Sequence, residues 1–205
     1  WRPLSIAALN TAPEEASAQL LWPVIARTLF GGAEACRPYI ARAGLAAALV
    51  DPALALLASR GATIRYGARV TSLRLEADRL TGLSFGAEDT PLSAEDSAVL
   101  CVPPAVANTL LPGLAAPEET RAIVNAHFRL PAPAFLPFGA PLLGLLGGTA
   151  EWLFLRGDVA SVTVSAADAL AARPAEEIAA LLWGDVSRAL GAPGAPLPPA
   201  RIIKE

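Results

Sequence analysis

The residues able to do chemistry are few in this sequence. There is one histidine, His127, and two cysteines, Cys36 and Cys101. A zinc site needs four His, Cys or carboxylate ligands at close spacing, and nothing here offers them. His127 falls in a predicted strand, where an imidazole reads first as a packed or edge residue. The acid pairs Glu14-Glu15, Glu118-Glu119 and Glu176-Glu177 each fall in a predicted first helical turn. Helix-end electrostatics accounts for acids there without invoking acid–base catalysis. No G-x-G and no G-x-x-x-x-G-K-[ST] occurs, and the one G-x-S-x-G string, Gly82-Leu83-Ser84-Phe85-Gly86, falls in a predicted strand of the meander and not at a strand-to-helix elbow. The two absences remove the backbone cradles that hold diphosphates, and the strand context of Ser84 is not that of a serine-hydrolase elbow.

Composition narrows the class further. The 205 residues are 54% hydrophobic and 17% charged, with net charge −3. A chain this apolar can bury a core, so wholesale disorder is excluded. No basic block exists, so nucleic acid is not the expected partner. No apolar run reaches the roughly 20 residues that span a bilayer. The two distant cysteines read as free thiols of a reducing cytoplasm. The chain begins at Trp1, contains no Met and stops inside an apparent strand at residues 201–205. It reads as a piece of a longer protein.

Elements follow from period and punctuation. Thr11, Pro13 and Glu14 predict a helix start, with the helix running to about Leu29, kinked at Pro23 and stopped at Gly31-Gly32. A second helix is predicted from about Leu45 to Ser59, interrupted at Pro52. Short alternating runs at 62–66, 70–75 and 80–85 predict a three-stranded meander. The apolar run at 98–102 predicts a strand buried on both faces, followed by a short helix over 106–111. Pro117-Glu118-Glu119 predicts a helix to about Asn125. Strands are expected at 126–130, 142–146, 151–156 and 159–165, then a helix over 174–190 and a Pro/Gly linker over 191–199. The fold class is α+β, with mixed or antiparallel sheets and flanking helices.

Several segments resemble the squalene-associated branch of the flavin amine oxidase and phytoene desaturase superfamily. They are Trp1-Arg2-Pro3-Leu4 with Ala7-Ala8-Leu9-Asn10-Thr11, Ile123-Val124-Asn125-Ala126-His127-Phe128, and Gly147-Gly148-Thr149-Ala150-Glu151-Trp152-Leu153-Phe154. Ser161 to Ala166, Leu182-Trp183 and Ile203-Lys204-Glu205 fit as well. Gly67-Ala68-Arg69-Val70 and Val102-Pro103-Pro104 mark only the wider superfamily. The resemblance implies the central part of an amine oxidase-like fold, without its N-terminal βαβ dinucleotide-binding unit. Residues 1–61 and 117–205 would belong to the substrate domain, and 62–116 to a discontinuous FAD domain.

What the resemblance implies about chemistry is an FAD-dependent oxidoreductase acting on a long isoprenoid, converting hydroxysqualene to squalene in hopanoid biosynthesis. A carotenoid desaturase or an amine oxidase relative is the alternative within the class. A non-catalytic apolar-ligand or interaction module is the alternative outside it. Val70 matches the position that touches the adenine end of the flavin, and also reads as an ordinary strand residue. Trp152, Phe154 and Phe128 are candidates for the wall of an isoprenoid pocket, and also read as core. Gly147 and Gly148 allow either close approach to a ligand or a hairpin turn. No catalytic residue is assigned and no metal is expected. FAD is not expected to bind this piece, which lacks the phosphate loop. Exposed apolar faces imply self-association. So apolar a substrate implies docking on the inner face of the membrane from the cytoplasm.

Overall fold

The computed structural model describes residues 1–205. The chain divides into two compact units, Trp1–Arg42 with Arg121–Glu205, and Ala43–Thr120.

The first unit is built on a five-stranded antiparallel sheet. Its strands are β4 (Val124–Arg129), β5 (Leu142–Gly144), β6 (Trp152–Arg156), β7 (Val159–Val164) and β8 (Ala200–Lys204), in the order β5-β6-β7-β4-β8. Numbering follows the whole chain, since β1 to β3 belong to the second unit. One face of the sheet is covered by helix α6 (Ala175–Ala189). Ile178, Leu182 and Val186 recur every four residues on that helix, and all three are fully buried. They meet Val124, Ala126 and Phe128 of β4, Leu153 of β6 and Val162 of β7 in one core. Burying each large side chain stabilises the unit by about 1.5–3 kcal/mol. Glu176 and Glu177 occupy the first turn of α6 and Arg188 the last, each facing the favourable end of the helix dipole.

The second unit carries a smaller sheet, β1 (Ser72–Glu76), β2 (Arg79–Phe85) and β3 (Glu88–Pro91), in antiparallel order β1-β2-β3. Ahead of it lies a π-turn at Ala46–Val50 running into α3 (Asp51–Ser59). Pro52 explains the wide turn, because it has no N–H for the α-helical bond. After the sheet comes the short helix α4 (Pro104–Leu110).

Four expectations need correction. The helix predicted from Thr11 begins at Ala18 and is α2 (Ala18–Arg27). The Thr11 hydroxyl donates back to the Leu9 carbonyl at 3.0 Å instead of capping. Glu14 and Glu15 are taken by Arg2 and Arg121. The helix ahead of this segment, α1 (Arg2–Leu9), was not anticipated. Second, the meander is shifted by one strand. Residues 62–66 pair with nothing, and residues 88–91 supply the third strand. Arg65 instead reaches β3 through a two-pronged ion pair with Glu88, at 3.0 and 2.8 Å.

Third, residues 98–102 form no strand, and Val99, Leu100 and Val102 are exposed. An apolar run becomes a buried strand only when neighbours supply hydrogen-bond partners and cover. No strand of this chain pairs with it. Fourth, no helix forms over 117–125. Ile123 exchanges two backbone bonds with Glu205, both 2.9 Å, which extends the β4–β8 pairing. The Ala122 N–H donates to the Asp168 carboxylate at 2.9 Å. Strand pairing thus outcompetes the local helix signal. The remaining strands and α6 lie within a residue or two of their predicted limits.

No helix is long and apolar enough to cross a membrane. Cys36 and Cys101 are both free and exposed.

Candidate functional site

Alternation along the strands sorts the first unit's sheet into two faces. Residues 124, 126 and 128 of β4 point to the helix-covered core. Residues 125, 127 and 129 point to the open face. Cross-strand register then assembles rows on that open face. One row runs Gly144, Trp152, Thr163, Asn125 and Ile203. The next runs Leu142, Phe154, Ser161, His127 and Arg201. The third holds Arg156, Val159 and Arg129. Most of the first two rows is half-buried, whereas Arg129, Arg156 and Arg201 are exposed.

The face has an apolar side and a polar middle. Trp152 and Phe154 stand together on β6. Gly144 is opposite Trp152, and a Cβ there would lie 3.3 Å from the indole ring. The glycine thus lets the indole lie flat against the strand backbone. The Trp152 Nε1–H is buried and has no hydrogen-bond partner. An orphaned buried donor is destabilising by about 1–3 kcal/mol. In the middle, the Thr163 hydroxyl donates to Asn125 Oδ1 at 2.7 Å, and His127 Nδ1 shares a hydrogen bond with Ser161 Oγ at 2.8 Å. Partial burial, with the Arg201 and Arg156 charges, holds the His127 imidazolium below its ordinary acidity range, so the neutral ring is favoured.

Phe128 does not join Trp152 and Phe154. It lies on the covered face, fully buried, with its ring 5.3 Å from that of Trp183. A one-residue change of parity is enough to place it there. Trp183 is itself fixed by donation from Nε1 to the Ala195 carbonyl at 2.7 Å.

Gly147 and Gly148 lie in the β5–β6 connection, Gly147 with φ +79°. The close approach they allow is to the chain's own Asp185 on α6. A Cβ on Gly148 would lie 2.6 Å from its carboxylate. The Thr149 and Ala150 N–H groups donate to Asp185 Oδ2 at 2.7 and 2.9 Å, and Arg188 pairs with the other oxygen. This loop is a small anion nest already filled by a side chain.

Two positioning residues escaped sequence reasoning. Asn10, in the left-handed conformation at the end of α1, donates to the Arg121 carbonyl at 2.7 Å and accepts from the Ala166 N–H at 2.6 Å. It ties α1 to both edges of the segment that contains β4. Glu151 accepts the Ser165 N–H at 2.8 Å, and burial pushes its carboxyl above the ordinary range. Neither bond has a local sequence signature.

In the second unit a depression of about 400 Å³ is lined by Arg65, Gly67, Ala68, Thr71, Phe85 and Gly86, among others. The Arg65 guanidinium lies 5.0 Å above the Phe85 ring. Val70 is half-buried just before β1, with its N–H and C=O outside the ladder. A backbone edge of this kind suits an adenine contact. It offers no run of N–H donors for a diphosphate, and the sequence has no G-x-G to supply one.

Comparison with known proteins bears on the whole chain. It is 47% identical over 204 residues to the hydroxysqualene dehydroxylase of Rhodopseudomonas palustris, covering 99% of this chain and 48% of that protein. It is 46% identical over 205 residues to that of Sinorhizobium fredii, again 48% of the relative's length. The Zymomonas mobilis protein of the same name is 35% identical over 190 residues, 91% of this chain and 45% of its own. The chain therefore spans about half the length of the curated relatives it matches. A family model described as flavin containing amine oxidoreductase matches residues 3–201. Nearly the entire chain is matched, and it belongs to the flavin-containing amine oxidoreductase family.

Proposed function

We propose that this chain is part of an FAD-dependent oxidoreductase that converts hydroxysqualene to squalene, a step of hopanoid biosynthesis. The observation that carries the reading is the identity of 46–47%, over essentially the full chain, to two proteins named hydroxysqualene dehydroxylase. The open face of the five-stranded sheet supplies its physical side. Residues 1–61 and 117–205 would contribute to the substrate domain and 62–116 to the flavin domain.

The overall change replaces C–OH by C–H. The substrate gains a hydride and a proton and loses water. Departure of the hydroxyl leaves a cation stabilised by a neighbouring alkene. Water must be kept from it, or the alcohol re-forms. Trp152 and Phe154, with Leu142 opposite Phe154, make an apolar wall suited to an isoprenoid chain. Aromatic ring faces also favour a nearby positive charge. The Trp152 Nε1–H is unpaired but closed to solvent, so it donates to a hydroxyl oxygen only where the indole turns out of its present place. The flavin that the family description implies would supply the hydride, held by residues beyond the set in this chain. Val70 is our candidate for its adenine end. Self-association through exposed apolar residues, and docking of the longer protein on the inner membrane leaflet, complete the reading.

The test is anaerobic incubation of the longer protein with reduced flavin and hydroxysqualene, followed by mass spectrometry of the extracted lipid. Squalene is the expected product. Turnover of phytoene or an amine in its place would move the protein to another branch of the family. The 205-residue chain alone is expected to purify colourless. Stoichiometric flavin surviving dialysis would overturn the division of labour.

A further inference from the structure

The far end of the open face carries a charge pattern that an uncharged hydrocarbon does not require. Arg201 of β8 is directly opposite His127 of β4, and Arg156 of β6 and Arg129 of β4 occupy the next row. Like charges gathered on one sheet face repel. Only Arg129 has a carboxylate, bound through both oxygens of Asp158 at 2.8 Å. Arg156 and Arg201 make no salt bridge. His127, Arg129, Val159 and Arg201 line a shallow depression of about 310 Å³ at this end.

His127 lies half-buried on the open face and not in the helix-covered core. Its Nδ1 is engaged by Ser161 and its Nε2 makes no hydrogen bond within the chain. The groups facing it are Ser161 from β7, Arg201 from β8, Arg156 from β6, and Arg129 with Asp158. With Asp158 set against Arg129, the remaining charge is positive. Along the same row, beyond Ser161, come Phe154 and Leu142. One strip therefore grades from cationic to apolar across the width of five strands.

We propose that His127, Arg156 and Arg201 form a binding site for the phosphate-type headgroup of an amphiphile, whose hydrocarbon lies along Phe154 and its apolar neighbours. Guanidinium groups match phosphate oxygens in geometry and charge. A bound anion also reverses the electrostatics at His127. It offsets the two arginine charges and favours the imidazolium, which then adds a third donor. Binding therefore takes up a proton and tightens as pH falls through the histidine's range. The site does not depend on which isoprenoid the longer protein reduces, and its test does not pass through activity.

His127 is the chain's sole histidine, so its ring resonances are a reporter without overlap. The 205-residue chain is titrated with inorganic pyrophosphate at constant ionic strength, and the His127 midpoint is followed by NMR. The expected result is saturable shifting and a midpoint raised by about one pH unit, the lower end of the effect of a close opposite charge. Arg156→Gln and Arg201→Gln should each weaken binding about tenfold, the loss of one charge-assisted contact. Arg201→Lys should recover part of it, and Arg42→Gln should change nothing. Two further arms separate the sources of headgroup. Farnesyl diphosphate binding more tightly than pyrophosphate assigns a soluble amphiphile. Co-sedimentation with phosphatidylglycerol vesicles, but not with phosphatidylcholine vesicles, assigns a membrane lipid. If none of the three probes shifts His127 saturably, the proposal fails. It fails equally if Arg156→Gln and Arg201→Gln, with circular dichroism unchanged, bind like the parent chain.

Discussion

The two units of this chain contain similar proportions of apolar sequence but bury it very differently. In the first, a helix with apolar residues every fourth position lies on a sheet whose inward residues reach zero exposure at Val124, Phe128, Leu153 and Val162. In the second, Ala107 and Leu110 are the buried apolar side chains, while Leu45, Leu49, Val50, Leu56 and Val99 are exposed. Hydrophobic sequence is thus a capacity for burial, and cover decides whether it is used. A sheet of five strands with a helix on one face has that cover. A meander of three short strands has little to offer a run such as 98–102.

The largest effect should come from the covered layer. Leu182→Ala removes a fully buried side chain at the centre of α6 and should destabilise the first unit by about 2–5 kcal/mol. Leu56→Ala, at a half-exposed position of the second unit, should change stability by no more than about 0.5 kcal/mol. The comparison has a convenient probe. All four tryptophans, at 1, 22, 152 and 183, belong to the first unit. Urea unfolding followed by tryptophan fluorescence therefore reports that unit alone. Hydrogen exchange covers both units, with the β4 and β7 amides of the first expected to exchange slowest and those of 98–102 in the second fastest. Equal losses from the two substitutions would break the contrast.

That contrast also explains what the sequence could reveal. The strands of the large sheet and α6 were legible because their periods match their burial: alternation in Val124 to Arg129, a four-residue repeat in Ile178, Leu182 and Val186. The strand at 98–102 was misread because its apolar run states a need for partners, not their presence. The helix at 117–125 was misread because local acids cannot reveal that Ile123 will pair with Glu205, 82 residues away. For the candidate site, Trp152 and Phe154 share a face, as their spacing implies. Phe128 lies on the other face, and nothing before the cross-strand register was known could say so. The Arg201–His127 juxtaposition joins residues 74 positions apart and is invisible without the β4–β8 pairing.

A middle-sized effect tests how the connection between β5 and β6 is anchored on α6. Asp185→Ala leaves the Thr149 and Ala150 N–H groups without their acceptor and should destabilise the first unit by about 1–3 kcal/mol. Gly148→Ala drives a methyl group against the same carboxylate and should lose a similar amount, about 1–3 kcal/mol. Since both act on one contact, their effects should not add. In the Asp185→Ala background the methyl group has room, and Gly148→Ala should become close to neutral. Full additivity in a double-mutant cycle would show that the nest does not hold the loop.

The smallest effects come from two half-buried titratable groups of the same unit, and they carry opposite signs. His127 has its folded pKa depressed below the ordinary 6.5 by burial and by Arg201 and Arg156. Between that depressed value and 6.5 the unfolded chain binds more protons. Its contribution to stability is therefore fully present above pH 6.5 and is lost as pH falls through the folded pKa. Glu151 has its folded pKa raised above the ordinary 4.5 by burial, an effect only partly offset by the Ser165 N–H. Here the folded chain binds more protons, so the contribution is fully present below pH 4.5 and is lost as pH rises through the folded pKa. Glu151→Gln keeps an oxygen for Ser165 while removing the charge. It should raise stability slightly at pH 7 and leave it unchanged near pH 4. His127→Gln should flatten the loss between pH 6.5 and the acid side without affecting pH 8. Tryptophan-monitored urea midpoints across this pH range separate the two, since one substitution alters the slope only where the other does not. A Glu151→Gln protein less stable than the parent at pH 7 would mean that the ionised carboxylate's bond to Ser165 outweighs its desolvation.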